Sequence, residues 1–295
     1  MPALSAGNAM PLAVILIVNL LVIAALFAGL WLWSRKIKDP SFVDAFWAFG
    51  MVILALTTFI MAGDGWLERK LVLTGLTIAW GMRLGLHLFH RWGREGPDKR
   101  YQALVGRLND KRGWGYDKAT GLAVFGPQAV LLFLVCLPVQ LGQIEAVPAG
   151  FGILAMLGFA LAVFGIAYEA IADWQLSRFK ENPASKGKVM DQGLWGWSRH
   201  PNYFGEICTW WGIWLIAAET ALGFWSFIGP AFLTFTLLRW SGVPLLEKGM
   251  KTSRPGYADY AARTSAVFPW PPREGTAPDE PVIDDDDTTE YDSAV

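Results

Sequence analysis

Ser198-Arg199-His200-Pro201-Asn202-Tyr203-Phe204-Gly205-Glu206 runs directly into Ile207-Cys208-Thr209-Trp210-Trp211-Gly212-Ile213-Trp214-Leu215-Ile216. A basic, proline-started entrance therefore leads into an apolar helix. Pro201 suits the first turn, where its missing N–H forfeits no hydrogen bond, and the free N–H groups beside it can hold an anion or an amide oxygen. Asn202 and Glu206 lie four residues apart and share one helix face. A carboxylate at the bilayer centre costs about 2.5–3.5 kcal/mol on insertion scales, so Glu206 requires a partner or a wet cavity. The stretch reads as a site as well as a span.

Outward from it, the same apolar character recurs. Of the 295 residues 53% are apolar, enough for several runs of the ~20 residues that cross a bilayer. The pattern predicts seven transmembrane helices, over residues 12–33, 41–62, 71–91, 121–141, 149–173, 202–219 and 222–243, in an all-α polytopic membrane protein. The first run lacks a basic n-region and a cleavage signal close behind it, so it is expected to be retained. Cys136 and Cys208 both fall inside predicted helices and give neither a disulfide framework nor a zinc site.

Charge sets the expected topology. Apart from Arg69, Lys70 and Arg83, every Lys and Arg lies between helices one and two, three and four, or five and six, or from Arg239 onward. The positive-inside rule then places the N-terminus outside and the C-terminus in the cytoplasm, in the cytoplasmic (inner) membrane. The long polar loops, over 93–120, 180–200 and from 241, all fall on that cytoplasmic side, where function is expected. A seven-helix membrane domain is expected over 1–273. The tail over 274–295, acidic at Asp284-Asp285-Asp286-Asp287 and poor in apolar residues, is expected to be disordered. No internal repeat stands out, which disfavours an inverted-repeat transporter.

Ionisable residues inside the predicted spans point to a site. Asp44, Arg83, His87, His90, Glu169, Asp173 and Glu206 gather toward the cytoplasmic half, and such groups mark functional sites by default. The competing reading is interhelical glue, with Arg83 paired to Asp44. Arg91, Arg94, Lys99 and Arg100 follow helix three, while Arg178, Lys180, Lys186, Lys188 and Arg199 lead into helix six. They suit a phosphate-bearing ligand, although the positive-inside bias accounts for most of them. With no G-x-G-x-x-G after a strand and no P-loop, a nucleotide would be held by helices and loops. No metal site is expected, because the histidines lack H-E-x-x-H spacing.

The segment from Glu169 to Trp211 resembles the C-terminal domain of the steroid 5-alpha-reductase family. It carries Glu-Ala-Ile-Ala-Asp-Trp-Gln-Leu-Ser-Arg-Phe-Lys and then Gly-Leu-Trp-Gly-Trp-Ser-Arg-His-Pro-Asn-Tyr-Phe-Gly-Glu, and is more closely similar to a largely uncharacterised bacterial branch. The likeness extends to Arg254-Pro255-Gly256-Tyr257-Ala258-Asp259-Tyr260 and Val267-Phe268-Pro269, and more weakly to Phe42-Val43-Asp44 and Asp98-Lys99-Arg100-Tyr101. The Asn-Tyr-Phe-Gly-Glu core is specific to the reductases. Arg-His-Pro-x-Tyr also occurs in isoprenylcysteine methyltransferase-like relatives.

The resemblance implies NADPH-dependent reduction of a C=C bond conjugated to a ketone, as in 3-oxo-4-ene steroids, to the saturated 5-alpha product. It also implies a cofactor cavity open to the cytosol and a small lipid-like substrate arriving from the bilayer; membrane lipids are the other expected partner and nucleic acid is not one. By position, Asn202 and Glu206 match the nicotinamide-contacting pair, Asp173 an acidic cofactor contact, Arg178 or Lys180 a phosphate contact, and Asp44 the catalytic glutamate. Further cofactor contacts are expected from Arg91, Asp98, Lys99, Arg100, Glu169, Arg199, His200, Tyr203, Arg239, Tyr257 and Tyr260. The chain departs from the family at the catalytic tyrosine, where His87-Leu88-Phe89-His90-Arg91 places Leu88. His87, His90 and Tyr101 are the candidates for that role. Hydride addition to an enone builds negative charge on the carbonyl oxygen, so a donor must be aimed there in a water-poor pocket, and Asp44 could supply it directly or through a histidine. Two alternatives stand beside this reading: an S-adenosylmethionine-dependent membrane methyltransferase, and a transporter or scaffold whose polar residues would span the full bilayer depth.

Overall fold

The computed structural model describes residues 10–273; the tail over 274–295 expected to be disordered lies outside the described residues. The described chain is helical throughout, with α1 (Leu12–Ile37), α2 (Val43–Met61), α3 (Leu67–Glu95) and α4 (Lys99–Arg112) in its first half. A broken stretch follows: α5 (Tyr116–Thr120), a π turn at Gly121–Phe125, α6 (Gly126–Val135) and α7 (Leu137–Gly142). Then come α8 (Ile153–Glu181) and α9 (Pro201–Ala217). The last stretch holds α10 (Ala221–Phe224), α11 (Ile228–Phe235), a π turn at Thr236–Trp240, α12 (Val243–Ser253) and α13 (Tyr257–Arg263).

Six stretches among the described residues are long and apolar enough to cross a membrane: α1, α2, α3, Tyr116–Gly142, α8 and Ala221–Lys251. Their outward faces are apolar; Ile153, Met156 and Leu157 on α8 are 76%, 65% and 58% exposed. Such a surface suits hydrocarbon, and helices with internally satisfied backbones are what a bilayer admits. The sixth predicted helix corresponds to α9, which has 17 residues. At 1.5 Å per residue it is about 26 Å long, short of the ~30 Å hydrocarbon thickness. Instead of facing lipid over its length it is packed inside the bundle, with Trp210, Ile213 and Ile216 fully buried. Helix three begins at Leu67 and continues to Glu95, and the loop expected over 93–120 contains α4, whose N-terminus is capped by Asp98 through the Arg100 N–H.

Small residues bring α8 and α9 together. A Cβ at Gly165 would lie 2.5 Å from the Gly205 carbonyl oxygen, and one at Gly212 would lie 2.5 Å from Ala162 N and 2.6 Å from the Gly158 oxygen. Gly158, Ala162 and Gly165 therefore face Gly205 and Gly212 backbone to backbone, the close approach by which membrane helices gain van der Waals contact. The consequence for the site is direct: the next turn of each helix places Glu169 and Asp173 opposite Asn202 and Glu206.

The end of the bundle remote from that turn is tied by a polar layer. Asn19 donates to Thr58 and Gln140 at 2.8 and 2.9 Å, and Gln143 donates to the Ala55 and Val139 carbonyls. Arg69, only 1% exposed, donates to the Glu145 and Pro148 carbonyls. This layer joins α1, α2, α3 and α7, while the cluster described next lies toward the opposite end.

Candidate functional site

Arg83 on α3 is the centre of a buried charge cluster. Its guanidinium reaches Glu169 at 2.6 Å and Asp173 at 2.5 Å. The Trp80 indole N–H donates to Glu169 at 2.8 Å, and the Asn202 amide donates to Asp173 at 3.3 Å. The Arg83–Asp44 pair of the competing reading does not form, because Asp44 sits on α2 beside α4, bonded to Tyr101, while Arg83 faces α8. Glu206 is 7% exposed and makes no hydrogen bond or ion pair among the described residues. Its carboxylate lines the cavity. Asn202 Oδ1 is likewise buried without a partner. Two carboxylates thus share one guanidinium, the third, Glu206, stands unpaired beside them, and two acceptors are left for a ligand, since buried polar groups are otherwise satisfied.

A second group stands across the cavity. Tyr101, on the first turns of α4, donates its hydroxyl to Asp44 at 2.5 Å and accepts from the Gln128 amide at 3.0 Å. Asp98 holds Arg100 at 2.7 Å, and Arg100 lies 3.9 Å from Asp44. Burial, and then the neighbouring Asp44 carboxylate, pushes the Tyr101 phenol well above its ordinary pKa. Burial alone would raise Asp98, but its hydrogen bonds and charge contact with Arg100 hold it below the ordinary carboxylate value. The bridging phenol is therefore neutral at physiological pH.

Both groups open into one cavity of about 780 Å³, within the ~300–1,000 Å³ range of small-molecule and cofactor sites. Of the residues read from the sequence, the cavity is lined by Asp44, Arg91, Arg100, Tyr101, Glu169, Asp173, Lys180, Arg199, His200, Asn202, Tyr203, Glu206, Tyr257 and Tyr260. His87 is not among them. It lies with His90, Arg91, Asp173 and Asn202 around a smaller recess of about 120 Å³, so it adjoins the acidic cluster and not Asp44. Lys99, Asp98, Arg178 and Arg239 do not line the cavity either; Asp98 supports Arg100, and Arg178 is turned to Glu181 at 3.9 Å. Leu88 lines the cavity.

Arg199, Tyr260 and His200 are committed to building the roof. Arg199 bonds Glu247 at 2.8 Å and the carbonyls of Ala261 and Thr264, while the Tyr260 hydroxyl donates to the Trp195 carbonyl at 2.6 Å. His200 meets Glu247 at 3.2 Å and stacks on Tyr203 at 5.3 Å. Burial raises the Tyr257 phenol to about 12, and raises Tyr260 as well. The free cations at the rim are elsewhere: Arg91 and Lys188 line the cavity with no ion pair among the described residues. Arg254 also lines it, and donates to the Lys188 carbonyl at 3.1 Å.

Sequence reading missed Gln128, Glu247 and Trp80. Gln128 had a local signal, a lone amide beside Pro127 in an apolar run. Glu247 had none, because its partners are 47 and 48 residues away.

An uncharacterized protein of Schizosaccharomyces pombe is 25% identical over 284 residues, covering 86% of this chain and 79% of that protein. No solved structure matches the chain. A family model described as "Protein of unknown function (DUF1295)" matches residues 30–264, which include the acidic cluster, the Tyr101–Asp44 pair and most of the roof. The chain belongs to the DUF1295 family.

Proposed function

We propose that the protein is a membrane reductase that uses NADPH to reduce the C=C bond of an enone lipid, such as a 3-oxo-4-ene steroid, to the saturated 5-alpha product. The observation that carries this reading is the Gln128–Tyr101–Asp44 chain of hydrogen bonds, set in one cavity with the unpartnered Asn202 and Glu206 acceptors. Likeness of the Asn202–Glu206 segment and of Asp44 to the steroid 5-alpha-reductase family supports it.

The residues present fit the cofactor. Asn202 Oδ1, buried and unpartnered, is an acceptor suited to a carboxamide N–H, and Glu206 offers a second. Arg91, Lys180, Lys188 and Arg254 surround the polar mouth and suit phosphates. NADPH, when bound, supplies the hydride. Tyr101 supplies the proton: with Asp44 protonated and donating to the phenolic oxygen, the Tyr101 O–H is free to turn to the substrate carbonyl, where charge develops. Gln128 fixes the phenol, and α4 supplies from another helix the hydroxyl that Leu88 lacks.

With α9 as a seventh, short crossing and the N-terminus outside, the basic mouth faces the cytoplasm of the inner membrane. A second reading is favoured by one feature. The excess of carboxylate over guanidinium at Glu169, Asp173 and Glu206 also suits a cationic sulfonium, as in S-adenosylmethionine. Purified protein in proteoliposomes should show a thermal shift with NADPH and NADPH-dependent loss of enone absorbance; a shift with S-adenosylmethionine alone would overturn the reductase in favour of the methyltransferase.

A further inference from the structure

The end of α1 and the start of the fourth membrane-crossing stretch are strapped together. The Trp31 indole N–H donates to the Asp117 carbonyl at 3.1 Å, the Tyr116 hydroxyl donates to the Ser34 carbonyl at 3.0 Å, and Arg35 pairs with Asp117 at 2.7 Å. Between α4 and α5 the chain turns back on itself. Gly113 closes α4 in the left-handed region, at a φ of 61°, and the Trp114 N–H bonds the Leu108 carbonyl. Two cations then meet the Trp114 ring, with Arg112 Cζ 5.2 Å and Lys118 Nζ 5.0 Å from its centroid. Lys38 Nζ stands 4.8 Å from the centroid of the Tyr116 ring.

Charge at this corner is unbalanced. Over residues 35–39 and 110–118 there are six cations and three carboxylates. Asp117 is taken by Arg35, and Asp39 accepts from Trp92 and Ser41. Lys36, Lys38, Lys111, Arg112 and Lys118 form no ion pair among the described residues. Elsewhere at this end of the bundle cations reach carboxylates across helices, as Arg94 does Glu181 and Lys180 does Glu95. The bias of basic residues to one membrane side accounts for the number of these charges. It does not account for two of them converging on one indole, where they repel each other. An anion between Arg112 and Lys118 relieves that repulsion, and a phosphate has oxygens enough to accept from both.

The depth of the corner is set by the spans. α1 ends at Ile37 and the fourth crossing stretch begins at Tyr116, so these cations lie where two membrane-crossing stretches leave the hydrocarbon. Trp31, Trp114 and Tyr116 mark the interfacial level, which is also the level of lipid headgroups. Toward the bilayer middle the same stretches present apolar residues, with Leu32 and Leu122 55% and 60% exposed.

We infer that this corner binds the headgroup of one anionic phospholipid, its phosphate held between Arg112 and Lys118 and its acyl chains lying against α1 and the Gly121–Phe125 turn. Lys36, Lys38 and Lys111 add positive potential, which favours a net-negative headgroup over a zwitterionic one. A soluble phosphate shares the headgroup's chemistry at the two cations; the apolar walls below them select the lipid. None of these cations lines the main cavity, so the inference does not rest on the enone reading.

Native mass spectrometry of the full chain, delipidated in detergent, tests it with phosphatidylglycerol, phosphatidylcholine and glycerol 3-phosphate as probes. The first phosphatidylglycerol should bind at least about tenfold more tightly than phosphatidylcholine. A cation beside an anionic headgroup contributes about fivefold, so combining Arg112→Gln with Lys118→Gln should weaken that first site roughly 25-fold. Combining Lys186→Gln with Lys251→Gln, which changes exposed cations outside the corner, should leave it nearly unchanged. Equal binding of the two lipids would overturn the site, as would an equal loss in both double variants. Glycerol 3-phosphate that displaces the lipid at equal concentration would overturn the lipid as occupant and assign a soluble phosphate in its place. Arg112 and Lys118 are exposed, so lipid-free melting of their double variant should match the unaltered chain, and the comparison of lipids on the unaltered chain stands without any variant.

Discussion

Tyr101→Phe removes one oxygen and almost no volume, so its effects isolate the phenol. Two hydrogen bonds are lost, the 2.5 Å bond to Asp44 and the 3.0 Å bond from Gln128. Bonds of this kind contribute about 0.5–3 kcal/mol each, the larger values to charged partners, so folding stability should fall by about 1–3 kcal/mol. If Tyr101 delivers the proton, turnover should fall by about 10²–10⁴, equivalent to roughly 3–5 kcal/mol of lost transition-state stabilisation. The assay follows NADPH-dependent loss of enone absorbance per folded molecule, beside thermal melting of the same samples. Combining Tyr101→Phe with Asp44→Asn should be no worse than the more damaging single change, since the two act as a unit. The raised phenol pKa adds a pH signature. The stability it contributes is complete below the ordinary tyrosine value of 10.0 and is lost as pH rises past it toward the folded value. Tyr101→Phe should lack that alkaline loss. Near-normal turnover in Tyr101→Phe, with only its melting lowered, would refute the assignment and leave the phenol a structural brace.

Asn202→Ala and Glu206→Gln should each weaken NADPH binding by about 1–3 kcal/mol without unfolding the protein, read by calorimetric titration; unchanged affinity in both would make these residues structural. Arg83→Met leaves Glu169 and Asp173 buried without their partner, so it should destabilise by about 3–5 kcal/mol, and adding Glu169→Gln and Asp173→Asn should restore much of the melting temperature. Gly205→Val places a branched side chain where a Cβ already lies 2.6 Å from Glu169 N, so α8 and α9 should separate and detergent-stable protein should be lost; recovery at wild-type yield would show that the helices slide freely. Asp98, held below its ordinary value of 3.8, contributes stability present above that pH and lost as pH falls through the folded value. In melts taken from neutral to strongly acidic pH, Asp98→Asn should lack that part of the acid loss.

The tertiary structure decided which charges meet. Arg83 could pair with any carboxylate in its leaflet; the backbone contact of Gly165 with Gly205 and of Gly212 with Ala162 turned Glu169 and Asp173 toward it and left Asp44 to Tyr101, 57 residues away. Helix spacing gives a residue its face, but which helix stands opposite depends on shape at every contact. The π turns, the Arg199–Glu247 roof and the helical character of residues 99–112 arise in the same way, from pairings too distant or too polar to show in hydropathy.

What the sequence determined by itself is the part set by the solvent and by local spacing. Long apolar runs must form helices in a bilayer, because no water is there to satisfy an open backbone, and six such stretches stand as expected in kind if not at every boundary. Residues four apart on one helix must share a face, so Asn202 with Glu206 and Glu169 with Asp173 were legible as pairs before any fold was known. The cavity that joins those pairs to Tyr101, Asp44 and Gln128 was not legible, because a cavity belongs to the packing of several helices and no single segment encodes it.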